Sequence, residues 1–290
     1  MAVKSTQSGF TLVEIAIVLL IVTILLGYTV ALFPRQQQLK QYRALDGQMD
    51  EVIEAVIGFA QVNGRLPCPA LPNSVGLEDY DTAGDTGCNN YGGFVAANTL
   101  GLNGRLNEDS LLLDPWGNPY RYYVTDVDFD GGGNSDFTAP REMRAVGLVD
   151  SDDDGYIDLD GRYLICDEDG TTDDDVCTGA AEVFGNFDDS TGFDRYAGAP
   201  FVLVSQGKNW NEAAAAGDEL ENSGATLTTA FTPAIPNGPS GMPYLLKDVA
   251  SGETTFVHRP GGFADDYDDV VRWVSPNILF SRLIQAGQLP

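Results

Sequence analysis

The chain has 290 residues, and its 43 Asp and Glu against 16 Lys and Arg give a formal charge of −27 and a sequence pI of about 4.1. So few cations, none of them clustered, exclude a nucleic-acid backbone or an anionic membrane surface as an electrostatic partner. With 43% hydrophobic and 10% aromatic residues the chain can still bury a core, so it is not a solvating tail. About half of the acids fall between Asp126 and Asp194, where only Arg141, Arg144 and Arg162 offset them. Repulsion at that density opposes compaction unless a cation sits inside it, and a bound metal is the first candidate.

In chain order, the first element is an apolar run behind a short polar head that carries Lys4. Glu14 is its only charge between Phe10 and Phe33, and Ile15 to Phe33 has none. As a helix that stretch reaches roughly 28 Å, close to the roughly 30 Å hydrocarbon core of a bilayer. No small-residue cleavage site follows it, so an ordinary secretory signal is disfavoured. A carboxylate inside a spanning segment costs up to about 3 kcal/mol and usually has a partner. Glu14 therefore needs one.

Gly9-Phe10-Thr11-Leu12-Val13-Glu14, behind a leader with Lys4 and ahead of the apolar run, resembles the prepilin signature of type IV pilins and type II secretion pseudopilins. The resemblance implies cleavage by a prepilin peptidase between Gly9 and Phe10, and N-methylation of Phe10. It further implies a single-pass inner-membrane precursor with its head in the periplasm, which then joins other pilin subunits in an extracellular filament. Elementary electrostatics agrees with that spacing. A terminal ammonium at Phe10 lies one helical turn from Glu14, whose charge also suits the positive end of the helix dipole. In an assembly Glu14 can instead meet the amine of a neighbouring subunit.

From Leu39 the pattern becomes amphipathic, with Leu39, Tyr42, Leu45, Met49, Val52, Ile53, Val56 and Ile57 at three- and four-residue intervals. This predicts one long helix, kinked at Pro34, weakened at Gly27, Gly47 and Gly58, and ended by Asn63-Gly64. The expected organisation is a leader over 1–9, an N-terminal helix over 10–63 whose membrane-spanning and assembly part is 10–33, and an extracytoplasmic head over 64–290.

Within the head, short β-type runs occur at Tyr120–Val127, Met143–Val149, Tyr163–Ile165, Phe201–Val204, Pro243–Leu246 and Val270–Val274. Ala213–Ala216 reads as a turn of helix and Pro276–Ala286 as a closing helix. The expected fold is α+β and pilin-like: a long N-terminal helix packed on an antiparallel sheet, with long Asp/Gly-rich loops. Asp114-Pro115-Trp116-Gly117-Asn118-Pro119-Tyr120 is by itself a turn feeding a strand, with Trp116 capping a core. It also resembles the DPWGNPY segment of major pseudopilins.

Four cysteines on an extracytoplasmic segment without a CxxC pair favour disulfides over zinc. Three connectivities exist, and sequence proximity favours Cys68 with Cys88 and Cys166 with Cys177.

Asp150-Ser151-Asp152-Asp153-Asp154-Gly155-Tyr156-Ile157-Asp158 reads D-x-D-x-D-G followed by an acid at the ninth place, the pattern of EF-hand calcium loops. Asp150, Asp152, Asp154, the Tyr156 carbonyl, Asp158 and Asp160 are the candidate calcium ligands. Gly161 stands where an EF-hand loop has its bidentate Glu. Weaker candidates are Asp126, Asp128 and Asp130, and the acids Asp265, Asp266, Asp268 and Asp269, near which the resemblance to major pseudopilins leads one to expect a calcium loop. Asp167, Asp169 and Asp173 could complete a site.

Catalysis has little support, because His258 is the only histidine and no nucleophile, phosphate or dinucleotide motif appears. The expectation is a structural filament subunit and not an enzyme, with calcium as the cofactor. The alternatives are a pseudopilin of a type II secretion system and a membrane-tethered calcium-dependent adhesion module.

Overall fold

A computed structural model describes residues 11–128, 131–147, 161–166, 182–184, 198–208, 222, 246–247, 249, 255–258 and 268–290; of these, the side chains of 27–36, 166 and 182–184 are not described. The elements are α1 (Leu12–Asn63), a 3-10 turn (Pro72–Ser74), β1 (Gly92–Phe94), α2 (Ala97–Leu100), β2 (Arg121–Val124) and α3 (Glu142–Val146). They continue with β3 (Leu164–Cys166), β4 (Glu182–Phe184), β5 (Phe201–Ser205), β6 (Thr255–Val257), β7 (Val270–Trp273) and α4 (Pro276–Gln285). The chain divides into two compact units, Met1–Asp46 and Gly47–Pro290.

Thr11 opens α1: its Oγ1 accepts the Glu14 backbone N–H at 3.3 Å, and its carbonyl accepts that of Ile15 at 3.2 Å. The helix runs through Pro34 without interruption and stops at Asn63, where Gly64 turns left-handed at φ +67° and donates its N–H to the Ala60 carbonyl at 2.8 Å. Among the described residues no helix is long and apolar enough to cross a membrane. The expected span over 10–33 falls only partly on them, since Phe10 and the side chains from Gly27 onward lie outside.

In the second unit Met49, Val52, Val56, Ile57 and Ala60 are buried, the inward stripe of an amphipathic helix. Gln48 fixes that part of α1 to the segment ahead of β2. Its Nε2 donates to the Leu113 carbonyl at 3.3 Å and its Oε1 accepts the Tyr120 hydroxyl at 3.0 Å. The closing helix α4 holds the same stretch from its other end. Gln61 Nε2 donates to the Arg282 carbonyl at 3.1 Å, Gln288 Nε2 donates to the Gln61 carbonyl at 2.9 Å, and Arg282 pairs with Glu54 at 3.2 Å.

The fold is α+β. Its main sheet has the order β1-β2-β5-β7 and every pairing is antiparallel. A second sheet, β4-β3-β6, is mixed, because β3 pairs β4 antiparallel but β6 parallel. Tyr123, Val202, Val204 and Val271 of the main sheet share one core with Tyr163, Ile165 and Phe256. Tyr163 and Tyr123 both pack their rings on Phe256, at 5.5 and 5.1 Å between centroids.

Two sequence expectations change. Met143–Val149, expected as a strand, forms α3 over Glu142–Val146, because burial falls on Met143 and Gly147 at helical spacing and not on alternate residues. β1, β4 and β6 carry no strand expectation, and β1 is Gly-rich for a steric reason. A Cβ on Gly93 would lie 2.7 Å from the Ala70 carbonyl oxygen. The Ala213–Ala216 helix and most of Pro243–Leu246 lie outside the described residues.

The junction between α1 and the sheets is clamped by Arg65. Its guanidinium holds both carboxylate oxygens of Glu78 at 2.8 Å, donates to the Leu66 carbonyl at 3.1 Å, and lies over the rings of Tyr80 at 4.0 Å and Phe59 at 5.0 Å. Glu78 Oε2 also accepts the backbone N–H of Cys68, which is disulfide-bonded to Cys88 as expected. Burial and the Asp85 hydrogen bond push the Tyr80 hydroxyl up to about 12. Arg65→Ala strands a nearly buried carboxylate and should cost about 2–4 kcal/mol, with Arg65→Lys recovering less than half because an ammonium cannot make the two-pronged pair. Denaturant unfolding of the full chain tests this, and an unchanged midpoint would show that the clamp is not stabilising.

Candidate functional site

Three groups of residues carry candidate chemistry. At the start of α1, Glu14 lies in the first turn, exposed, where the helix dipole favours a negative charge. Around and beyond it the side chains from Leu12 to Leu26 are exposed, including Leu19, Leu20, Ile24 and Leu25. An exposed apolar surface of that length is larger than the scattered apolar side chains common on protein surfaces and marks an interaction face. Gly9 and Phe10, the expected cleavage pair, lie outside the described residues.

The acidic stretches form the second group. Asp126 ends the segment after β2 and pairs with Arg162 at 2.7 Å. Asp128 accepts the backbone N–H groups of Gly132 at 3.0 Å and Gly133 at 2.8 Å, closing a turn. Asp130, Asp150, Asp152, Asp154, Tyr156, Asp158 and Asp160 lie outside the described residues, as do Asp167, Asp169, Asp173, Asp265 and Asp266. The pairing of Cys166 with Cys177 lies outside them too. The exit of the Asp150–Asp160 stretch is nonetheless visible. Arg162 N–H donates to Thr125 Oγ1 at 3.2 Å, so the end of one acidic loop is pinned to the start of the other.

That exit also accounts for Gly161, the residue standing in the EF-hand's Glu position. A Cβ there would come within 2.2 Å of the Ala199 backbone, to which Gly161 is bridged through Gly198. No side chain fits at that place in this fold.

The third group is built on the turn before β2 and was legible only as a turn. Asp114 is buried, and its Oδ1 accepts three backbone N–H groups, from Trp116 at 2.9 Å and from Gly117 and Asn118 at 2.8 Å. Its Oδ2 accepts the hydroxyl of Ser205, the last residue of β5, at 2.7 Å. Gly117 takes φ +100°, and Asn118 donates its amide to the Gly207 carbonyl. Trp116 is half-buried at the tip of this turn.

Beyond β5 the chain comes close to the acids ahead of β7. Ser205 faces Val270 as the last pair of that ladder, and just beyond it a Cβ on Gly207 would lie 2.4 Å from the Asp268 carboxylate carbon. Lys208 N–H donates to Asp268 Oδ2 at 2.6 Å, Asp269 is buried, and neither atom of the buried Gln206 amide has a hydrogen-bond partner among the described residues. The proline-and-glycine turn and the C-terminal acids, unrelated in sequence, are thus joined into one polar centre. The signal that could have revealed it was the Asp-x-x-Gly-Asn spacing, in which one carboxylate can collect successive N–H groups.

Among the described residues no group of three or more His, Cys, Asp or Glu is gathered as a metal cage. His258 is half-buried, edge-on to Trp273 at 5.2 Å, and held below its ordinary range by burial and then by Arg272. No nucleophile lies beside it in a catalytic arrangement among the described contacts.

Compared with known proteins, residues 4–30 match the prokaryotic N-terminal methylation motif. The chain therefore carries the N-terminal signature of type IV pilins and pseudopilins, and that signature covers the start of α1 together with Glu14. No match is found among curated proteins or among solved structures.

Burial holds the Asp114 carboxyl above its ordinary 3.8, against four hydrogen bonds that pull it down. A raised folded-state value means that its contribution to stability is fully present below the unfolded pKa and is lost as pH rises through the folded one. Relative to Asp114→Asn, the wild type should therefore lose stability as pH climbs from 3.8. Asp114→Ala, which strands three backbone donors, should lose about 2–4 kcal/mol at low pH, and the gap should narrow as the wild type loses stability with rising pH. Paired denaturation curves across pH measure both, and a pH-independent gap between wild type and Asp114→Asn would refute the assignment.

Proposed function

We propose that the chain is a structural prepilin: it is cleaved after Gly9, methylated at Phe10, held in the inner membrane by 10–33, and then assembled through α1 into a type IV pilus-like filament. The match of residues 4–30 to the methylation motif carries this reading. It implies processing by a prepilin peptidase and assembly with other pilin subunits. The exposed apolar face from Leu12 to Leu26 is the surface such an assembly would bury. Glu14 supplies the charge partner for a terminal amine one turn away. The role is that of a subunit and not of an enzyme, with the head over 64–290 displayed outside the membrane.

A pseudopilin of a type II secretion system is the second reading, favoured by the Asp114–Tyr120 segment. A filament that reaches the cell surface separates the two, because a secretion pseudopilus serves protein export instead. A membrane-tethered adhesion module would tolerate changes at Phe10 and Glu14 that leave the apolar run intact.

Calcium belongs to the same proposal. Asp150, Asp152, Asp154, the Tyr156 carbonyl, Asp158 and Asp160 would hold one ion, with Asp126, Asp128 and Asp130 as a further candidate group. Asp265, Asp266, Asp268 and Asp269 are the last candidate group, carboxylate oxygens of the kind calcium takes. Bound there, calcium would neutralise carboxylates and stiffen loops.

Glu14→Ala should leave membrane insertion intact and reduce incorporation into sheared filaments at least about tenfold, because it leaves a buried amine uncompensated. Normal incorporation would overturn the role of Glu14. N-terminal sequencing of filament subunits should begin at Phe10. Chelation should lower the melting temperature of the full chain by roughly 5 °C or more and open 126–175 to proteases; unchanged melting in excess chelator would remove the metal.

A further inference from the structure

Two Asn-Gly pairs fall on described residues, Asn63-Gly64 and Asn103-Gly104. Such a pair carries latent chemistry: the glycine backbone nitrogen can attack the side-chain amide carbon of the asparagine, and glycine has no Cβ to obstruct the approach. Both asparagines are exposed, so access to water does not separate them. Local bonding does. At the end of α1, Gly64 N–H donates to the Ala60 carbonyl at 2.8 Å and Asn63 Nδ2 donates to the Phe59 carbonyl at 2.9 Å. The last helical turn thus holds both the nucleophile and its target, with Gly64 fixed in the left-handed cap at φ +67°. Attack there first requires the end of α1 to open.

Asn103 and Gly104 lie between α2 and the Leu106–Leu112 bridge, outside any helix or strand. Among the described residues neither the Gly104 N–H nor the Asn103 side chain makes a hydrogen bond. Packing nevertheless requires glycine here. A Cβ at Gly104 would lie 2.5 Å from Leu112 Cδ1 and 3.2 Å from Gln48 Nε2. Leu112 is buried and the Gln48 amide is committed to the Leu113 carbonyl and the Tyr120 hydroxyl, so both resist displacement. The fold therefore keeps the reactive glycine in place and leaves the asparagine before it unrestrained.

We propose that Asn103 is a site of spontaneous covalent modification in the folded protein, converted to aspartate and isoaspartate, and that the cap of α1 protects Asn63 from the same reaction. The Gly104 nitrogen forms a bond to Asn103 Cγ, the Cγ–Nδ2 bond breaks, and ammonia leaves carrying the proton that the Gly104 nitrogen gives up. Water then opens the resulting cyclic imide at either carbonyl, so water is the only co-reactant and nothing is oxidised or reduced. Isoaspartate lengthens the backbone by one carbon beside Gln48, the residue that ties α1 to the segment ahead of β2. The modification loosens that tie and adds a carboxylate to a chain already at charge −27.

The test incubates the full chain, folded in detergent, at mildly alkaline pH and maps its peptides by mass spectrometry over time. Asn103 should gain the mass of replacing NH by O, with isoaspartate among the products, at least about tenfold faster than Asn63, because only Asn63 must wait for local opening. In urea the two rates should come within about threefold of each other, since the fold alone separates the pairs. Asn103→Gln should abolish the modification at that position, and the equally aged wild type should melt about 2–4 °C lower than this variant. Asn103 reacting no faster than Asn63 in the folded chain, or a difference that survives in urea, overturns the assignment. Equal melting of the aged wild type and the aged Asn103→Gln chain overturns the effect on the Gln48 tie.

Discussion

The carboxylate of Asp114 is the constraint around which the head is arranged. One oxygen gathers three backbone N–H groups and so fixes the turn that delivers Pro119 and Tyr120 into β2. The other oxygen takes the hydroxyl that ends β5, so β2 and β5 are locked together at the same end. Because Asn118 and Lys208 extend the network to Gly207 and Asp268, the approach to β7 follows as well. A charge this deeply buried is tolerated only because nearly all of its hydrogen-bonding capacity is met.

Arg65 does for α1 what Asp114 does for the strands. It leaves the helix immediately after the Gly64 cap, and its ion pair with Glu78 reaches the Cys68 backbone and hence the disulfide to Cys88. Helix and disulfide loop therefore meet on a single cation. In a chain of charge −27 each buried cation is scarce, and this one satisfies three hydrogen-bonding oxygens and two aromatic faces.

Charge is thus used in three different ways. Asp114 and Arg65 are internal and saturated by the fold. Glu14 is external, and in the proposed filament its complement is a terminal amine. The dense acids between Asp126 and Asp194 repel one another, and the ion pair of Asp126 with Arg162 relieves only one of them by a protein cation among the described residues. Calcium is the proposed counterion for the rest.

The sequence by itself determined what depends on local chemistry. The 3.6-residue spacing from Leu39 and the Asn63-Gly64 stop define α1 and its end, and β-branched runs mark β2, β5 and β7. The Gly9–Glu14 motif is legible because such a signature is a linear pattern, and residues 4–30 match the N-terminal methylation motif. Sequence proximity sufficed for Cys68 with Cys88, since a short loop closes easily. Only the tertiary structure decided where β1 goes, because two glycines look like a turn until Ala70 is seen lying against them. It also turned Met143–Val146 from strand to helix, paired β3 with β6 in parallel, and forbade a side chain at Gly161. Above all it joined Asp114, Ser205 and Asp268. These residues are distant along the chain, and their association follows from sheet register, which no local pattern encodes.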